Sequence, residues 1–368
     1  MTIRVALGER SYAIALADAY AQLPRRLASL GLSRQGWVIS HRSVLARYGD
    51  QLLEPLARAG WRLRVVTIPA SERSKSFATV RGLLEQLARA AAMRVPVLFA
   101  FGGGVVGDVT GFVAAAFRRG VPYVQVPTTL LAQVDSAIGG KVGIDLPRAK
   151  NVVGAFYQPR LVYNNVTVLE SLPARQRRSG LAEVIKYGVI ADAALFAYLE
   201  AHLEACLALE RRAVRVMIER SCAIKARVVS RDERETTGVR AQLNFGHTLG
   251  HALEAATHYR RWTHGEAIAI GMCAAARLAA AVRLCRSDDA ERIVALIRSA
   301  GLPTVARRVS PRAVLQAMRY DKKFLHGRPR WVLPTRIGAV MVTEQVPEAA
   351  LRRILADHVQ TGGGAEHE

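Results

Sequence analysis

VPVLFAFGGGVVGD, residues 95–108, decides the fold. Its first part, VPVLFAF (95–101), is a continuous apolar run. A run of this kind suits a strand buried on both faces, as in a parallel sheet covered by helices. FGGGVVGD (101–108) then turns and opens an Ala-rich helix, and Gly102, Gly104 and Gly107 satisfy a GxGxxG spacing. Glycines let a backbone turn tightly and approach a pyrophosphate, while the helix start offers free N–H groups and the positive end of its dipole. The motif alone is weak, because a plain strand-to-helix turn carries the same glycines. The usual dinucleotide fingerprint also lies on the first strand, and this is a late one.

Outward from this turn, WVISH (37–41), WRLRVVTIP (61–69) and VPYVQVP (121–127) read as further strands. Helical stretches near 43–59 and from Lys75 to about residue 92 separate them. The alternation predicts an α/β domain with a doubly wound sheet over residues 1–172. Beyond Pro173 the chain runs mostly in Ala, Leu, Arg and Glu at helical spacing, notably 191–229, 264–285 and 288–300. RWVLPTRIGAVMVT (330–343) is the exception and reads as two short strands. The second domain, 173–359, is therefore predicted to be mainly α-helical, with a disordered tail at 360–368.

The 368 residues are 51% hydrophobic, enough for large cores and too many for a disordered chain. No apolar stretch reaches the length of a membrane span, and MTIRVALGER lacks the apolar core of a signal peptide. Cys206, Cys222, Cys273 and Cys285 form no CxxC pair, so a reducing cytoplasm is the expected setting. The formal charge is +22, and of 52 basic residues only seven are lysines, which leaves 45 arginines. Such charge invites a nucleic-acid partner. The arginines are scattered over the whole length, however, with no basic tail and no aromatic-interleaved patch. Neither nucleic acid nor membrane is the expected partner.

Two polar clusters stand out. PTTLLAQVDSAIGGKVGIDLPRAKN (127–151) combines Thr128, Thr129, Asp135, Lys141, Lys150 and Asn151 around Gly139 and Gly140. Hydroxyls and a carboxylate can hold a ribose or a reacting alcohol, and the glycines let Lys141 approach a ligand. In LNFGHTLGHALEA (243–255), His247 and His251 are four residues apart and share one helix face. His264 in WTHGEA and Glu183 in GLAEVIKYG, with Lys186 three residues on, complete a candidate metal set. HTLGH lacks the Glu of HExxH, so a metalloprotease is not indicated. Two histidines and one carboxylate leave positions open on Zn²⁺ for substrate oxygens. Several of the seven lysines fall in these clusters. Lysine is a compact donor whose pKa moves on burial, so an arginine-rich chain keeps it where arginine will not serve.

GGGVVGDVTGF, PTTLLAQVDSAIGGK, AKNVVGAFYQP, SGLAEVIKYG, DERE, LNFGHTLGHALE and HGEA, in this order, resemble the 3-dehydroquinate synthase family of sugar-phosphate cyclases. The resemblance runs from LGERSY (7–12) to the strands after DKK (321–323). It implies an N-terminal NAD-binding domain, a C-terminal metal domain holding Zn²⁺ or Co²⁺, an active site between them and a homodimer. It also implies the conversion of 3-deoxy-D-arabino-heptulosonate 7-phosphate to 3-dehydroquinate and phosphate. The route is oxidation, phosphate elimination, reduction and intramolecular aldol closure, with NAD regenerated.

By that resemblance the metal ligands are Glu183, His247 and His264. Asp135 and Lys141 lie near the reacting centre and nicotinamide, and His251 assists proton movement around the phosphate. Lys186, Asn244, Lys150, Asn151, Lys225, Arg240 and a lysine of Lys322 and Lys323 contact substrate. Arg119 reaches the phosphate across the dimer interface. Glu72, Lys75, Gly103, Gly104, Asp108, Thr128 and Thr129 contact NAD. The chain departs from the family at His41 and Ser43 after an early strand, at Ala149 in AKN, at Asn165 where Asp is usual, and in a DERETTGVR loop one residue longer. The alternatives are a sister cyclase making amino-dehydroquinate, 2-deoxy-scyllo-inosose or a valiolone, or a metal-dependent polyol dehydrogenase.

Overall fold

The computed structural model describes residues 1–90, 95–146, 149–319, 324–325 and 328–361. Two compact units emerge: Met1–Leu172 with Val214–Arg234, and Pro173–Ala213 with Glu235–Glu368.

The first unit is built from strands β1 (Thr2–Val5), β2 (Tyr12–Ala17), β3 (Gln35–Ser40), β4 (Arg62–Thr67), β5 (Val97–Gly102), β6 (Tyr123–Pro127), β7 (Lys141–Leu146), β8 (Ala149–Phe156) and β9 (Leu161–Asn165). Among the described residues a seven-stranded sheet runs in the order β1-β2-β9-β6-β5-β3-β4. Its pairs are parallel except β1 with β2. β7 and β8 form a separate antiparallel hairpin.

From Val97 the apolar run becomes β5, flanked by β3 and β6 and buried at all six positions. Successive side chains of a strand point to opposite faces. Val97, Phe99 and Phe101 accordingly enter one core with Tyr20, Leu52, Leu56 and Tyr163. Leu98 and Ala100 enter another with Val80, Leu83, Val109 and Val113. This double demand is why β5 has no polar alternation, and it makes the sheet doubly wound. Aromatic edges lock the first core: Tyr20 meets Phe101 at 5.8 Å and Trp61 meets Phe99 at 5.2 Å, both edge-to-face.

β5 ends at Gly102, Gly103 caps the next helix, and that helix spans Gly104–Ala116. A Cβ on Gly102 would lie 2.6 Å from Val106, and one on Gly107 would lie 2.9 Å from Gln125. The glycines are therefore required by the close return of the helix onto the sheet, whatever they bind.

The second unit is organised by two buried helices, Ala174–Ala191 and His264–Ala281. From Ser179 to Ile190 every residue of the first is buried. A helix buried all round belongs inside a core. The predicted strand pair is Trp331–Arg336 against Ala339–Thr343, antiparallel. It is fixed to the first of these helices where the Gly338 N–H donates to the Val189 carbonyl at 2.9 Å. No helix among the described residues is long and apolar enough to cross a membrane.

Two boundaries differ from the sequence expectation. The chain is not cut once at 172, because Val214–Arg234 belongs to the first unit. Its helix, Arg211–Arg231, is tied there by the Lys225–Asp135 ion pair at 2.8 Å and by the Ala6 N–H donating to Ser230 Oγ at 2.8 Å. Helical periodicity does not reveal which core a helix joins. Gln360, expected to open a disordered tail, instead pairs in parallel with Arg307; residues 362–368 lie outside the described residues.

Phe101→Ala should destabilise the protein by roughly 3–5 kcal/mol, the usual cost of emptying a buried aromatic site. Val65→Ala on the exposed edge strand should stay within about 0.5 kcal/mol. Denaturant unfolding of both variants measures the contrast.

Candidate functional site

Glu183 sits mid-helix in Ala174–Ala191, fully buried, with Lys186 one turn on and also buried. Lys186 Nζ lies 2.5 Å from Glu183 Oε2. A carboxylate taken out of water needs charged partners. Two histidines add to the ammonium: His264 Nε2 lies 3.3 Å and His247 Nε2 lies 3.6 Å from Glu183 Oε1. The ligand atoms of Glu183, His247 and His264 all fall within 4.8 Å of one another, so these residues could hold a metal ion.

Each histidine is the first residue of its helix, so backbone geometry fixes its direction. His247 follows Gly246, whose φ is +78° and whose Cβ would lie 2.5 Å from Met272. His247 Nδ1 lies 3.0 Å from the Phe245 carbonyl. With the proton on Nδ1, Nε2 carries the lone pair that can ligate a metal. His264 opens its helix behind a capping box, in which Thr263 Oγ1 accepts from the Glu266 N–H and the Glu266 carboxylate accepts from the Thr263 N–H.

Gly265 allows the close approach of the helices that bear Glu183 and His264. Its N–H donates to Ser179 Oγ at 3.1 Å, and a Cβ there would lie 2.1 Å from the Ser179 carbonyl. Desolvation opposes a charge on His264, but the carboxylates of Glu254 and Glu183 outweigh it and hold its pKa at about 10.

His251 neighbours this set, 5.2 Å from the His247 ring and 6.1 Å from the His264 ring. Glu254 was not anticipated. Its Oε2 lies 3.6 Å from His264 Nδ1, and with His251 and His264 it forms a second group of ligand type. The signal was available, since Glu254 is three residues after His251 on the same helix face. Asn244 ends the 3-10 turn Val239–Asn244 just ahead of His247. Arg240 in that turn is buried, with Nε 3.6 Å from Glu235. Glu235, another residue not anticipated, has a positive φ of 59°.

In the first unit the structure gathers Glu72, Lys75, Asp108, Lys150 and Asn151. Lys75 Nζ lies 2.8 Å from Asp108 Oδ2, donates to Asn151 Oδ1, and stands 3.9 Å from both Glu72 and Asp145. Lys150 Nζ lies 3.1 Å from Glu72. Burial opposes the Lys75 charge, yet the surrounding carboxylates raise its pKa above the ordinary lysine value. Burial likewise raises the Asp108 pKa, with Lys75 working the other way. Asp145 was not anticipated; it accepts the Asn151 N–H at 2.8 Å. Asn151 of this hairpin is left-handed, at φ 53°.

Gly103 and Gly104 pack against Thr129 and Ser136, where added Cβ atoms would lie 3.1 Å away. Thr128 is buried with its N–H on the Gly102 carbonyl at 2.9 Å. Lys225 bonds Asp135 twice, at 2.8 Å to Oδ1 and 2.8 Å to the carbonyl. Lys141 opens β7 on the surface. Arg119 is exposed on a turn where Arg118 and Arg119 both have positive φ, 49° and 63°. Lys322 and Lys323 lie outside the described residues.

Residues 65–179 match the family model described as 3-dehydroquinate synthase N-terminal, and residues 180–324 the model described as 3-dehydroquinate synthase C-terminal. The chain belongs to the 3-dehydroquinate synthase family.

It is 47% identical over 357 residues to the 3-dehydroquinate synthase of Pelotomaculum thermopropionicum, covering 96% of each chain. Among solved structures similar to this family member, 2-epi-5-epi-valiolone synthase from Streptomyces hygroscopicus with NAD⁺ and Zn²⁺ bound has a TM-score of 0.86 at 28% identity, covering 95% of this chain and 98% of that one. A 2-deoxy-scyllo-inosose synthase complexed with carbaglucose-6-phosphate, NAD⁺ and Co²⁺ has a TM-score of 0.85 at 25% identity, covering 97% and 100%. The fold of this 3-dehydroquinate synthase family member is thus that of the sugar-phosphate cyclases.

Gly265→Ala should destabilise the chain by about 1–3 kcal/mol, the usual cost of overpacking. Gly82→Ala, where an added Cβ meets nothing within 4 Å, should not. Thermal unfolding of the two variants measures the difference.

Proposed function

We propose that this chain performs its family's reaction, converting 3-deoxy-D-arabino-heptulosonate 7-phosphate to 3-dehydroquinate and phosphate with NAD and a divalent metal as cofactors. The observation that carries the reading is the set Glu183, His247 and His264. One carboxylate and two imidazoles match the preferences of Zn²⁺ or Co²⁺ and leave positions for substrate oxygens. When bound, such an ion supplies Lewis acidity at the oxygen of the reacting alcohol, and NAD takes up and returns a hydride. The cyclases with NAD⁺ and Zn²⁺ or Co²⁺ support this cofactor pair.

The chain's own groups supply the rest. Lys186, held against Glu183, keeps an ammonium beside the candidate ligand set and serves with Asn244 at the substrate. His251 moves protons at the phosphate. Gly103 and Gly104 let the backbone and helix start approach a pyrophosphate, with Thr128 and Thr129 alongside. Lys75, fixed by Asp108, and Glu72 hold NAD. Asp135 and Lys141 serve the nicotinamide and reacting centre. Lys150, Asn151, Lys225 and Arg240, with Lys322 or Lys323, bind a substrate carrying carboxylate and phosphate, for which charge-assisted hydrogen bonds are the strong choice. Arg119 acts from the partner copy of a cytoplasmic homodimer.

The test is phosphate release from the heptulosonate phosphate by protein loaded with NAD and metal, with and without chelator. Phosphate should appear with no net absorbance change at 340 nm, and chelation should abolish it. Stoichiometric NADH without phosphate would instead mark a polyol dehydrogenase. His247→Ala should weaken Zn²⁺ binding by more than the roughly 10–100-fold typical of an outer-shell partner, with circular dichroism unchanged. Full Zn²⁺ affinity in that variant would overturn the ligand assignment.

A further inference from the structure

Asp135 lies in a five-residue π-helical turn, Ala132–Ser136. Such wide turns are rare and recur at functional sites. Two residues earlier, Gln133 is fully buried and takes part in four side-chain hydrogen bonds. Its Nε2 donates to the Pro127 carbonyl at 3.1 Å and to the Asn165 carbonyl at 2.8 Å, the last residues of β6 and β9. Its own backbone carbonyl accepts from Asn164 Nδ2 at 3.1 Å and from Cys222 Sγ at 3.3 Å.

Cys222 and Lys225 are three residues apart on one helix face. The turn and the helix Arg211–Arg231 are therefore joined twice: by the thiol to Gln133, and by the ammonium to the carboxylate and carbonyl of Asp135. We propose that Gln133, Asn164 and Cys222 are positioning residues that set the Asp135–Lys225 pair for catalysis. The inference rests on the proposed roles of Asp135 and Lys225.

Three features support positioning over chemistry. Gln133, Asn164 and Cys222 are all without exposure to solvent. Desolvation pushes the Cys222 thiol up to about 12, so it stays protonated as a donor and does not act as a nucleophile. The bonds converge on a backbone carbonyl inside the turn, which fixes the turn itself and not only a side chain. A small shift in a reacting carboxylate costs far more in rate than in stability.

Cys222→Ala removes one donor to the Gln133 carbonyl, and Cys222→Ser keeps a hydroxyl donor there. The alanine variant should lose about tenfold in kcat, below the roughly 100-fold that a 1 Å misplacement can cost, and the serine variant should recover to within about twofold of wild type. In an Asp135→Asn background Cys222→Ala should cost less than about a further twofold, because residues acting through one group are not additive. Equal losses in serine and alanine, or a full tenfold loss in the Asp135→Asn background, would overturn the proposal. Asn164→Ala, which removes the other donor, is the second variant if Cys222→Ala does not fold.

Amide hydrogen exchange across residues 132–138 gives a readout independent of turnover: it should quicken in Cys222→Ala and return in Cys222→Ser. Unchanged exchange in Cys222→Ala would overturn the positioning. If loaded wild-type protein releases no phosphate, the family reading fails instead, and exchange alone decides whether the thiol holds the turn.

Discussion

The second unit depends on one buried negative charge. Glu183 is held on a helix whose every residue from Ser179 to Ile190 is shielded from water. A carboxylate there is costly unless cations or donors surround it. That requirement explains features otherwise unrelated. Lys186 sits one turn away on the same helix. His247 and His264 begin their helices facing the same carboxylate. Gly265 and Gly246 remove side chains where helices must close to bring those rings near. A divalent ion would replace part of this compensation, so the arrangement that makes the charge tolerable is also one that could hold a metal.

The first unit solves a related problem at the ends of strands. Its central strands end on, or are followed by, polar residues: Ser40 closes β3, Thr128 follows β6 and Asn165 closes β9. Ligands of open α/β sheets bind beyond the carboxyl ends of strands. Lys75 with Asp108, and Lys225 with Asp135, stand as ion pairs in this unit. Each pairs a buried lysine with a less buried carboxylate, so the cation is the anchored partner.

What was legible in the sequence follows from how local the signal is. β5 and its turn could be read because burial on both faces leaves Val97 to Phe101 apolar throughout and glycines where the helix returns. The candidate metal set could be read because Glu183, His247 and His264 each sit in a short motif of small residues, with His251 marking the same helix face as His247. The placement of the helix Arg211–Arg231 in the first unit could not, because its apolar stripe says that it packs but not against what. Glu254 was overlooked although its spacing places it beside His251, and Asp145 because a carboxylate in a hairpin is usually solvated. The Gln133 network was invisible, since it depends on the ends of β6 and β9 and a distant helix meeting at one residue.

The basic excess changes meaning once burial is known. Lys75, Lys186 and Lys225 are buried beside carboxylates, whereas Arg240 is the one arginine buried among the described residues. An ammonium is compact and has three rotatable donors, so it can sit between a backbone carbonyl and a carboxylate, as Lys225 does; a planar guanidinium needs a wider fork. Lys186, between a helix interior and Glu183, has still less room. Among the described residues, three lysines but one arginine are buried, so the buried lysines Lys75, Lys186 and Lys225 carry more information about function than the many arginines.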